Sequence, residues 1–246
     1  MLDNATRNLA LLRQNPYPGR GIVIGMDSSA GHLVQVYWIM GRSENSRNRV
    51  FVFVDDVSGA VRTAPADPAK VKDPSLIIYD AMLEGYGWKV ATNGHQTESV
   101  IRAAMMSADD MVFERTMNGW GYEPDAPNFT PRISAAFRSG QDGARMAIIR
   151  RVPWGDGIER CYFEYSALLA GFGYCLTTYS WDGDPLPSFR GEPYLLPLAG
   201  CEPAAVAQAV WDALNAENRI AIAVKFIPRW GGPSRVAIVN RFTAVS

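Results

Sequence analysis

The sequence has almost no charge imbalance and no long apolar run. It contains 24 basic and 25 acidic residues among 246, which gives a formal net charge of -1. A chain without a broad positive field has little to hold a nucleic-acid backbone, so we expect no nucleic-acid polymer as a partner. No stretch approaches the roughly 18 apolar residues of a membrane span, and the N-terminus lacks the pattern of a signal peptide. We therefore expect no membrane partner and a cytoplasmic location.

Metal and cofactor chemistry also have little support. The three cysteines, Cys161, Cys175 and Cys201, lie far apart without the spacing of metal ligands, and only two histidines accompany them. Reduced thiols in the core of a cytoplasmic protein are the simplest interpretation, and we expect no metal site. Neither the glycine fingerprint of a nicotinamide site nor a P-loop occurs, so we expect no cofactor.

The chain does have the composition of a packed core, with 48% hydrophobic and 20% charged residues. A chain of this length can bury a sizeable core as one domain. Leu2–Gln14 has the apolar spacing of a short helix, which a Pro- and Gly-containing segment then breaks. We therefore divide the chain into an N-terminal leader at 1–16 and a single domain at 17–246.

Short runs rich in Ile and Val, separated by turn residues, predict many strands. Gly21–Met26 and Leu33–Met40 predict an opening hairpin, while Ser75–Glu84 fits a helix or a strand equally well. Thr97–Met106, with Thr97 as its N-cap, and Pro203–Leu214 are predicted helices. Many strands with one central helix in each half indicate an α+β layered architecture. The other predicted strands are Val50–Val54, Lys89–Thr92, Arg132–Phe137, Met146–Val152, Gly173–Tyr179, Ile220–Ile227 and Arg235–Asn240.

Five local strings stand out in chain order: Tyr17-Pro18-Gly19-Arg20-Gly21, Ser46-Arg47-Asn48-Arg49, Tyr79-Asp80-Ala81, Thr92-Asn93-Gly94-His95-Gln96-Thr97 and Tyr122-Glu123-Pro124-Asp125, which runs on through Asn128-Phe129-Thr130-Pro131-Arg132-Ile133. In this order they resemble the archaeal-type IMP cyclohydrolase family. The resemblance covers residues 17 to about 136 well, whereas 144–246 matches only loosely. It implies a four-layer αββα sandwich similar to the N-terminal-nucleophile hydrolases, without an N-terminal nucleophile. Departures from the family are the leader and a longer second half, with an apparent insertion around Glu114 to Gly121.

The resemblance implies ring closure of 5-formamidoimidazole-4-carboxamide ribonucleotide to IMP with loss of water, the last step of purine synthesis. It points to Arg49, Tyr79 and Glu123, at matching motif positions, as the catalytic set. Ring closure needs a partner for the amide N–H, donors for the oxygen that gains charge and a proton for the departing hydroxyl. An ordinary structural role remains open for each of the three: an ion-pair partner, a core aromatic and a surface carboxylate, respectively.

Candidate substrate contacts are the cationic and hydrogen-bonding residues in or near these strings. One or more arginines must meet the 5′-phosphate, and a guanidinium can bind it through two donors. The Asn-Gly turn precedes a helix start, which favours anions, whereas the histidine after it could be a base or only a turn residue. The candidates are Arg20, Arg42, Arg47, Asn93, Gly94, His95, Asn128 and Arg132.

Two other functions remain open from the sequence. A paralogue could keep the pocket and bind a purine or imidazole nucleotide without cyclising it. A hydrolase of the N-terminal-nucleophile type would require cleavage ahead of an internal Ser, Thr or Cys. The expected partners are the purine-precursor ribonucleotide and IMP, and the sequence allows a homo-oligomer.

Overall fold

The computed structural model describes residues 1–54, 59–71, 78–198 and 200–244. The helices are α1 (Leu2–Gln14), α2 (Glu44–Arg47), α3 (Gln96–Met106), α4 (Val112–Asn118) and α5 (Pro203–Trp211), with a 3-10 turn at Pro68–Lys70. The strands are β1 (Gly21–Met26), β2 (His32–Met40), β3 (Val50–Val54), β4 (Ala60–Ala64), β5 (Asp80–Gly85), β6 (Trp88–Thr92), β7 (Arg132–Arg138), β8 (Ala144–Arg151), β9 (Ile158–Tyr165), β10 (Phe172–Thr177), β11 (Tyr194–Pro197), β12 (Arg219–Pro228) and β13 (Arg235–Asn240).

The strands form two antiparallel sheets. The first sheet has the order β11-β10-β1-β2-β12-β13, and the second has the order β3-β4-β5-β6-β7-β8-β9. The predicted hairpin of β1 and β2 is confirmed, with Gly21 opposite Trp38 and Met26 opposite Leu33. The chain then leaves this sheet, because β3 begins the second sheet and pairs with β4.

The two sheets pack face to face over one apolar core. Alternation along β12 shows how its residues divide: Ala221 and Ala223 face the second sheet, while Ile222 and Val224 face the helices. Helix α1 packs on β11 and α5 packs on β12 and β13, whereas α3 and α4 cover the second sheet. The layers therefore run helix, sheet, sheet, helix, which is an α+β sandwich.

Several elements differ from the sequence-based prediction. Strands β4, β9 and β11 and helix α4 were not predicted, and α4 occupies most of the apparent insertion at 114–121. The N-cap prediction for Thr97 is wrong, because α3 begins at Gln96 after His95. The Thr97 hydroxyl instead lies 2.6 Å from the Thr92 hydroxyl, inside the turn. Part of the ambiguous segment forms β5, and residues 75–77 of that segment lie outside the described residues.

Two further expectations concern the burial of the cysteines and the absence of a membrane-spanning helix. Cys175 is buried, but Cys161 is half-buried and Cys201 is exposed, so the expectation of core thiols is wrong for Cys201. All three cysteines are unbridged. Among the described residues, no helix combines the length and the apolar composition needed to cross a bilayer.

Replacing Phe113 by alanine should lower the free energy of unfolding by about 3–5 kcal/mol, because it empties a fully buried position between α4 and the second sheet. Denaturant unfolding followed by circular dichroism would measure this change. The control is Met111→Ala at the exposed N-cap of the same helix, where the side chain makes no capping hydrogen bond, with an expected change below about 0.5 kcal/mol. Equal effects of the two variants would contradict this packing of α4.

Candidate active site

A cavity of about 350 Å³ lies at the end of the sandwich where β1 begins and β2 ends. That volume is within the range of small-molecule sites. The cavity is lined by three guanidinium groups and two carboxylates, which leaves one positive charge in excess and favours an anionic ligand. These charged residues are Arg20, Arg42, Arg49, Glu123 and Asp125.

The floor of the cavity is a buried ion pair between Arg20 and Glu123. The two guanidinium nitrogens of Arg20 donate to the two carboxylate oxygens over 2.9 and 2.8 Å. Nη1 of Arg20 also donates to the Asn93 carbonyl at 3.2 Å. Nη1 of Arg132 lies 3.7 Å from Glu123 Oε1, so a second buried cation faces the same carboxylate. Glu123 is therefore held between two arginines and away from water.

Burial and charge act in opposite directions on these arginines. Burial lowers the pKa of Arg20, but the Glu123 carboxylate together with Tyr79 and Tyr37 outweighs burial and raises that pKa well above its ordinary value. The pKa of Arg132 is lowered, chiefly by burial and also by the nearby Arg20, and the more distant Glu123 carboxylate opposes this change without cancelling it. Arg20 is thus the principal ionic partner of Glu123.

The loop from Glu123 to Thr130 closes on itself and so fixes the direction of Glu123. The Glu123 N–H donates to the Thr130 carbonyl at 2.9 Å, and the Thr130 N–H donates to Asp125 Oδ1 at 2.7 Å. The Thr130 hydroxyl bridges the Asp125 carboxylate and the Tyr179 hydroxyl. Asn128 Oδ1 accepts from the Leu186 N–H at 3.0 Å, which ties the loop to the second half of the chain.

Arg49 enters the same cavity after the short helix α2. Ser43 and Ser46 form a capping box at the start of α2. Nε of Arg49 donates to the Ser46 carbonyl at 2.9 Å and Nη2 donates to the Met40 carbonyl at 3.1 Å. Nη1 of Arg49 has no hydrogen-bond partner among the described residues. A buried guanidinium with an uncommitted nitrogen on a cavity wall is suited to bind a ligand oxygen.

Arg42 lies at the mouth of the cavity and is more exposed. It pairs with Asp182, donates to the Gly183 carbonyl at 3.1 Å, and places its guanidinium 4.9 Å from the centre of the Tyr17 ring. Tyr17 in turn stacks on Tyr179 at 6.0 Å. Burial raises the pKa of Tyr17, although Arg49, Arg20 and Arg42 oppose the change. The mouth of the cavity is therefore aromatic and cationic.

Tyr79 does not line the cavity but lies behind its floor. Its hydroxyl oxygen is 2.6 Å from that of Tyr37, and both side chains are buried. Tyr79 is close enough to Arg20 and Arg132 to affect the pKa of each. Its ring meets His95 edge-on at 6.3 Å. Of the predicted catalytic set, Arg49 and Glu123 share the cavity, and Tyr79 adjoins the ion pair.

The Asn-Gly turn has a structural function in this arrangement. The Asn93 side chain accepts from the Ile133 N–H at 2.8 Å and donates to the Pro131 carbonyl at 2.9 Å, so both of its ends are engaged. A Cβ at Gly94 would stand 2.6 Å from Arg132 Nη1, so a larger residue would require that side chain to move. His95 is half exposed and lies 3.6 Å from Glu98.

Two predicted arginines lie outside the cavity lining. Nε of Arg47 donates to the Gly41 carbonyl at 3.1 Å, and its side chain lines a separate surface cavity with Asp67 and Lys70. Arg132 packs 4.8 Å from the Trp120 ring and donates to Gln96 Oε1 at 3.2 Å.

Sequence reasoning assigned no role to several residues of the site. The missed residues with polar groups at the site are Tyr17, Tyr37, Gln96, Asp125 and Tyr179. Asp125 had a usable signal, because an aspartate in a Pro- and Asn-containing segment is typical of a turn whose backbone its side chain holds. Tyr37 had none, since it occupies an apolar-facing position of an otherwise hydrophobic strand. In the part of the chain that the structure describes, no group of three His, Cys, Asp or Glu residues is arranged to hold a metal.

The burial difference between two arginines of the cavity predicts different stability effects. Arg20→Met should lower the free energy of unfolding by about 3–5 kcal/mol, because it leaves the buried Glu123 without its main partner. Arg42→Met removes a half-exposed ion pair and should change it by less than about 1 kcal/mol. Denaturant unfolding of both variants would measure the contrast, and a larger loss for Arg42→Met would contradict it.

Comparison with known protein families gives a match. The model of a family described as IMP cyclohydrolase-like protein matches residues 17–230, which includes the first strand of the fold, the whole second sheet and the cavity. The match extends well past residue 136, where the likeness of the local strings ends. No curated protein matches the chain. Since the family match spans most of the sequence, the chain belongs to the IMP cyclohydrolase-like protein family.

Proposed function

We propose that the protein is an IMP cyclohydrolase, which closes the ring of 5-formamidoimidazole-4-carboxamide ribonucleotide and releases water. The observation that carries this proposal is that Glu123 and Arg49, from two distant family-like strings, line one cavity. The net positive charge of that cavity suits a ribonucleotide phosphate. Membership of the family supports the reaction class.

The reaction asks mainly for positioning, because both reacting groups belong to one molecule. The carboxamide nitrogen attacks the formamido carbon, its proton moves to the formyl oxygen, and the carbinolamine then loses water. A carboxylate has about four lone-pair positions, and Arg20 takes two of those on Glu123. The remaining positions of Glu123 accept a substrate N–H on the cavity side.

Arg49 and Arg42 supply donors for the charged oxygens of the substrate. Nη1 of Arg49, which has no partner in the described ranges, is assigned to the formyl oxygen as it gains charge. Arg42 at the mouth is assigned to the 5′-phosphate, in competition with Asp182. Glu123, once it has taken a proton from the substrate nitrogen, returns one to the departing hydroxyl. Tyr79 lies behind the cavity floor and is assigned an indirect role, in which it acts on Arg20 and Arg132 rather than on the substrate.

The proposal also covers the type of fold, the cellular location and the ligands. We propose that residues 17–246 form one domain similar to the N-terminal-nucleophile hydrolases. The helix, sheet, sheet, helix order supports this likeness. The proposed setting is cytoplasmic purine biosynthesis, with the precursor ribonucleotide and IMP as ligands and no cofactor.

Glu123→Gln should lower turnover by roughly 10²–10⁴-fold, because the amide cannot accept the substrate proton. Conversion of the formamido ribotide to IMP, followed by ultraviolet absorbance, would measure this loss with and without a chelator. The matched control is Glu217→Gln, the same change at an exposed site, which should keep wild-type turnover.

Two outcomes would contradict the proposal. Tight IMP binding by a wild type that does not close the ring would favour the nucleotide-binding paralogue. An intact mass that reports cleavage ahead of an internal Ser, Thr or Cys would favour the hydrolase. Full turnover by Glu123→Gln would instead reject the site assignment while keeping the function.

Arg49→Lys should lower kcat by about 10-fold or more, because all the donors of an ammonium lie on one nitrogen, which cannot reach both carbonyls and the substrate as the separate nitrogens of the planar guanidinium do. Steady-state kinetics in the same absorbance assay would measure it. Arg102→Lys, at an exposed position on α3, is the control and should leave kcat unchanged. A change in KM alone for Arg49→Lys would assign Arg49 to binding rather than to the developing charge.

A further inference from the structure

A polar wall lies between the floor and the mouth of the cavity, and the catalytic assignments leave it without a role. Its side chains are Asp125, Asn128, Thr130 and Tyr179, and all four residues line the cavity. Thr130 is 1% exposed and Tyr179 is 5% exposed, so a ligand that fills the cavity removes the remaining water from this wall. Each donor or acceptor of the wall that faces the cavity then needs a partner on the ligand.

The directions of the hydrogen bonds along the wall follow from the chemistry of its groups. An ionised carboxylate only accepts, so the Thr130 hydroxyl must donate its one proton to Asp125. The hydrogen bond between the Thr130 and Tyr179 hydroxyls then has to use the proton of Tyr179. The Tyr179 oxygen keeps only lone pairs, and towards the cavity it can therefore only accept.

Asp125 and Asn128 add further groups of fixed polarity. Thr130 donates its N–H to one Asp125 oxygen at 2.7 Å and its hydroxyl to the other, which leaves lone pairs on both oxygens for a ligand. The Leu186 N–H donates to Asn128 Oδ1 at 3.0 Å, which fixes the orientation of this side-chain amide. Nδ2 of Asn128 has no hydrogen-bond partner in the part of the chain that the structure describes. The wall therefore offers acceptors on Asp125 and Tyr179 and a donor on Asn128.

A pair of neighbouring hydroxyls matches this wall better than the other polar groups of a nucleotide do. A hydroxyl both donates and accepts, whereas an amide N–H only donates. A phosphate oxygen only accepts, and the charge of Asp125 would repel it. Two hydroxyl protons match the two acceptors of the wall, and a hydroxyl oxygen matches its amide donor. A carboxylate is also the group that binds ribose hydroxyls in dinucleotide-binding folds.

The position of the wall agrees with the order of the groups in a nucleotide. On the floor side, the Thr130 carbonyl accepts from the Glu123 N–H at 2.9 Å. On the mouth side, Tyr179 stacks on Tyr17, whose ring centre lies 4.9 Å from the guanidinium of Arg42. The wall thus lies between the residue assigned to the reacting amide and the residue assigned to the phosphate. The ribose lies between the same two groups of the ligand.

We propose that Asp125 and Tyr179 accept the two hydroxyl protons of the ribose, one each, while Asn128 donates to a hydroxyl oxygen. The inference rests on the nucleotide ligand of the proposed function, and it adds a selection for ribonucleotides against deoxyribonucleotides. Loss of either hydroxyl leaves an acceptor of the wall without a partner and so weakens binding.

The test is binding of IMP, 2′-deoxy-IMP and 3′-deoxy-IMP to the purified protein, measured by isothermal titration calorimetry. The wild type should bind each deoxy analogue about 10-fold or more weakly than IMP. Tyr179→Phe removes one acceptor and keeps the bond from Thr130 to Asp125, so the preference for IMP over one analogue should fall below about twofold. Tyr162→Phe, which removes a hydroxyl bonded to Asn118 on α4, is the control and should keep both preferences.

Asp125→Asn should reduce the preference for IMP over both analogues. The Thr130 N–H needs an acceptor, so the new amide keeps its oxygen there and turns its NH2 group to the Thr130 hydroxyl. That hydroxyl then donates to Tyr179, whose own proton turns towards the cavity. Both acceptors of the wall are lost together, although Tyr179 itself is unchanged.

The outcomes separate this inference from the proposed function. A wild type that binds no IMP would overturn both. A wild type that binds IMP and both analogues equally well would overturn only the ribose contacts, and this comparison needs no variant. Preferences that stay unchanged in Tyr179→Phe and Asp125→Asn would overturn the assignment to these residues, even if the affinity for all three ligands falls. Preference for IMP in a wild type that does not close the ring would support the ribose contacts and overturn the cyclohydrolase function alone.

Discussion

The ion pair of Arg20 and Glu123 is withdrawn from water, and the site can exist only if its desolvation is compensated. Compensation comes from separate parts of the chain. Arg20 precedes β1 of the first sheet, the Asn93 carbonyl and Arg132 belong to the second sheet, and the Thr130 carbonyl closes the loop behind Glu123. All of them must be in place together, so the ion pair links correct packing of the two sheets to a formed site.

The layer between the sheets changes character along its length. In the middle it consists of apolar side chains such as Ile24 and Ile133, whereas at the cavity end it contains Tyr37 and Tyr79 beside the ion pair. The apolar part excludes water, and the low local dielectric strengthens the ionic interactions and hydrogen bonds next to it. Hydrophobic packing and the electrostatics of the site therefore depend on the same interface.

The sequence predicted those parts of the fold that have strong local patterns. The hairpin of β1 and β2 and helix α1 were placed well, because their apolar spacing is regular. Strand β9 was missed, since it lies at the edge of the second sheet and mixes charged with aromatic residues. The cap at Thr97 was misplaced because a threonine inside the first turn can bond backwards to the Gly94 carbonyl. Strand order depends on contacts between distant residues, which periodicity does not encode.

Part of the cavity lining could be predicted, because some of its residues stand in strings that resemble a known family. Arg49 and Glu123 were proposed from that resemblance and both line the cavity, yet no local pattern distinguishes Arg47 from Arg49. The turn that ends α2 separates them, sending Arg47 towards the Gly41 carbonyl and a different surface. Tyr37 could not be identified from the sequence either, since its strand pattern predicts a core residue and the side chain is indeed buried. Only the structure shows that its hydroxyl forms a hydrogen bond with the Tyr79 hydroxyl of the other sheet.

The arginines around the cavity differ in how many of their N–H donors are already bonded within the protein. This difference indicates which of them can bind a ligand. Arg20 gives both terminal nitrogens to Glu123 and the Asn93 carbonyl, so it is committed to the protein. Arg49 is equally buried but keeps one terminal nitrogen for the cavity, which a ligand can use without breaking an existing bond. Arg42 is half exposed, and its ion pair with Asp182 is weak enough for a phosphate to replace. Burial therefore favours precise contacts deep in the cavity and exchangeable contacts at its mouth, an arrangement that suits the proposed nucleotide ligand.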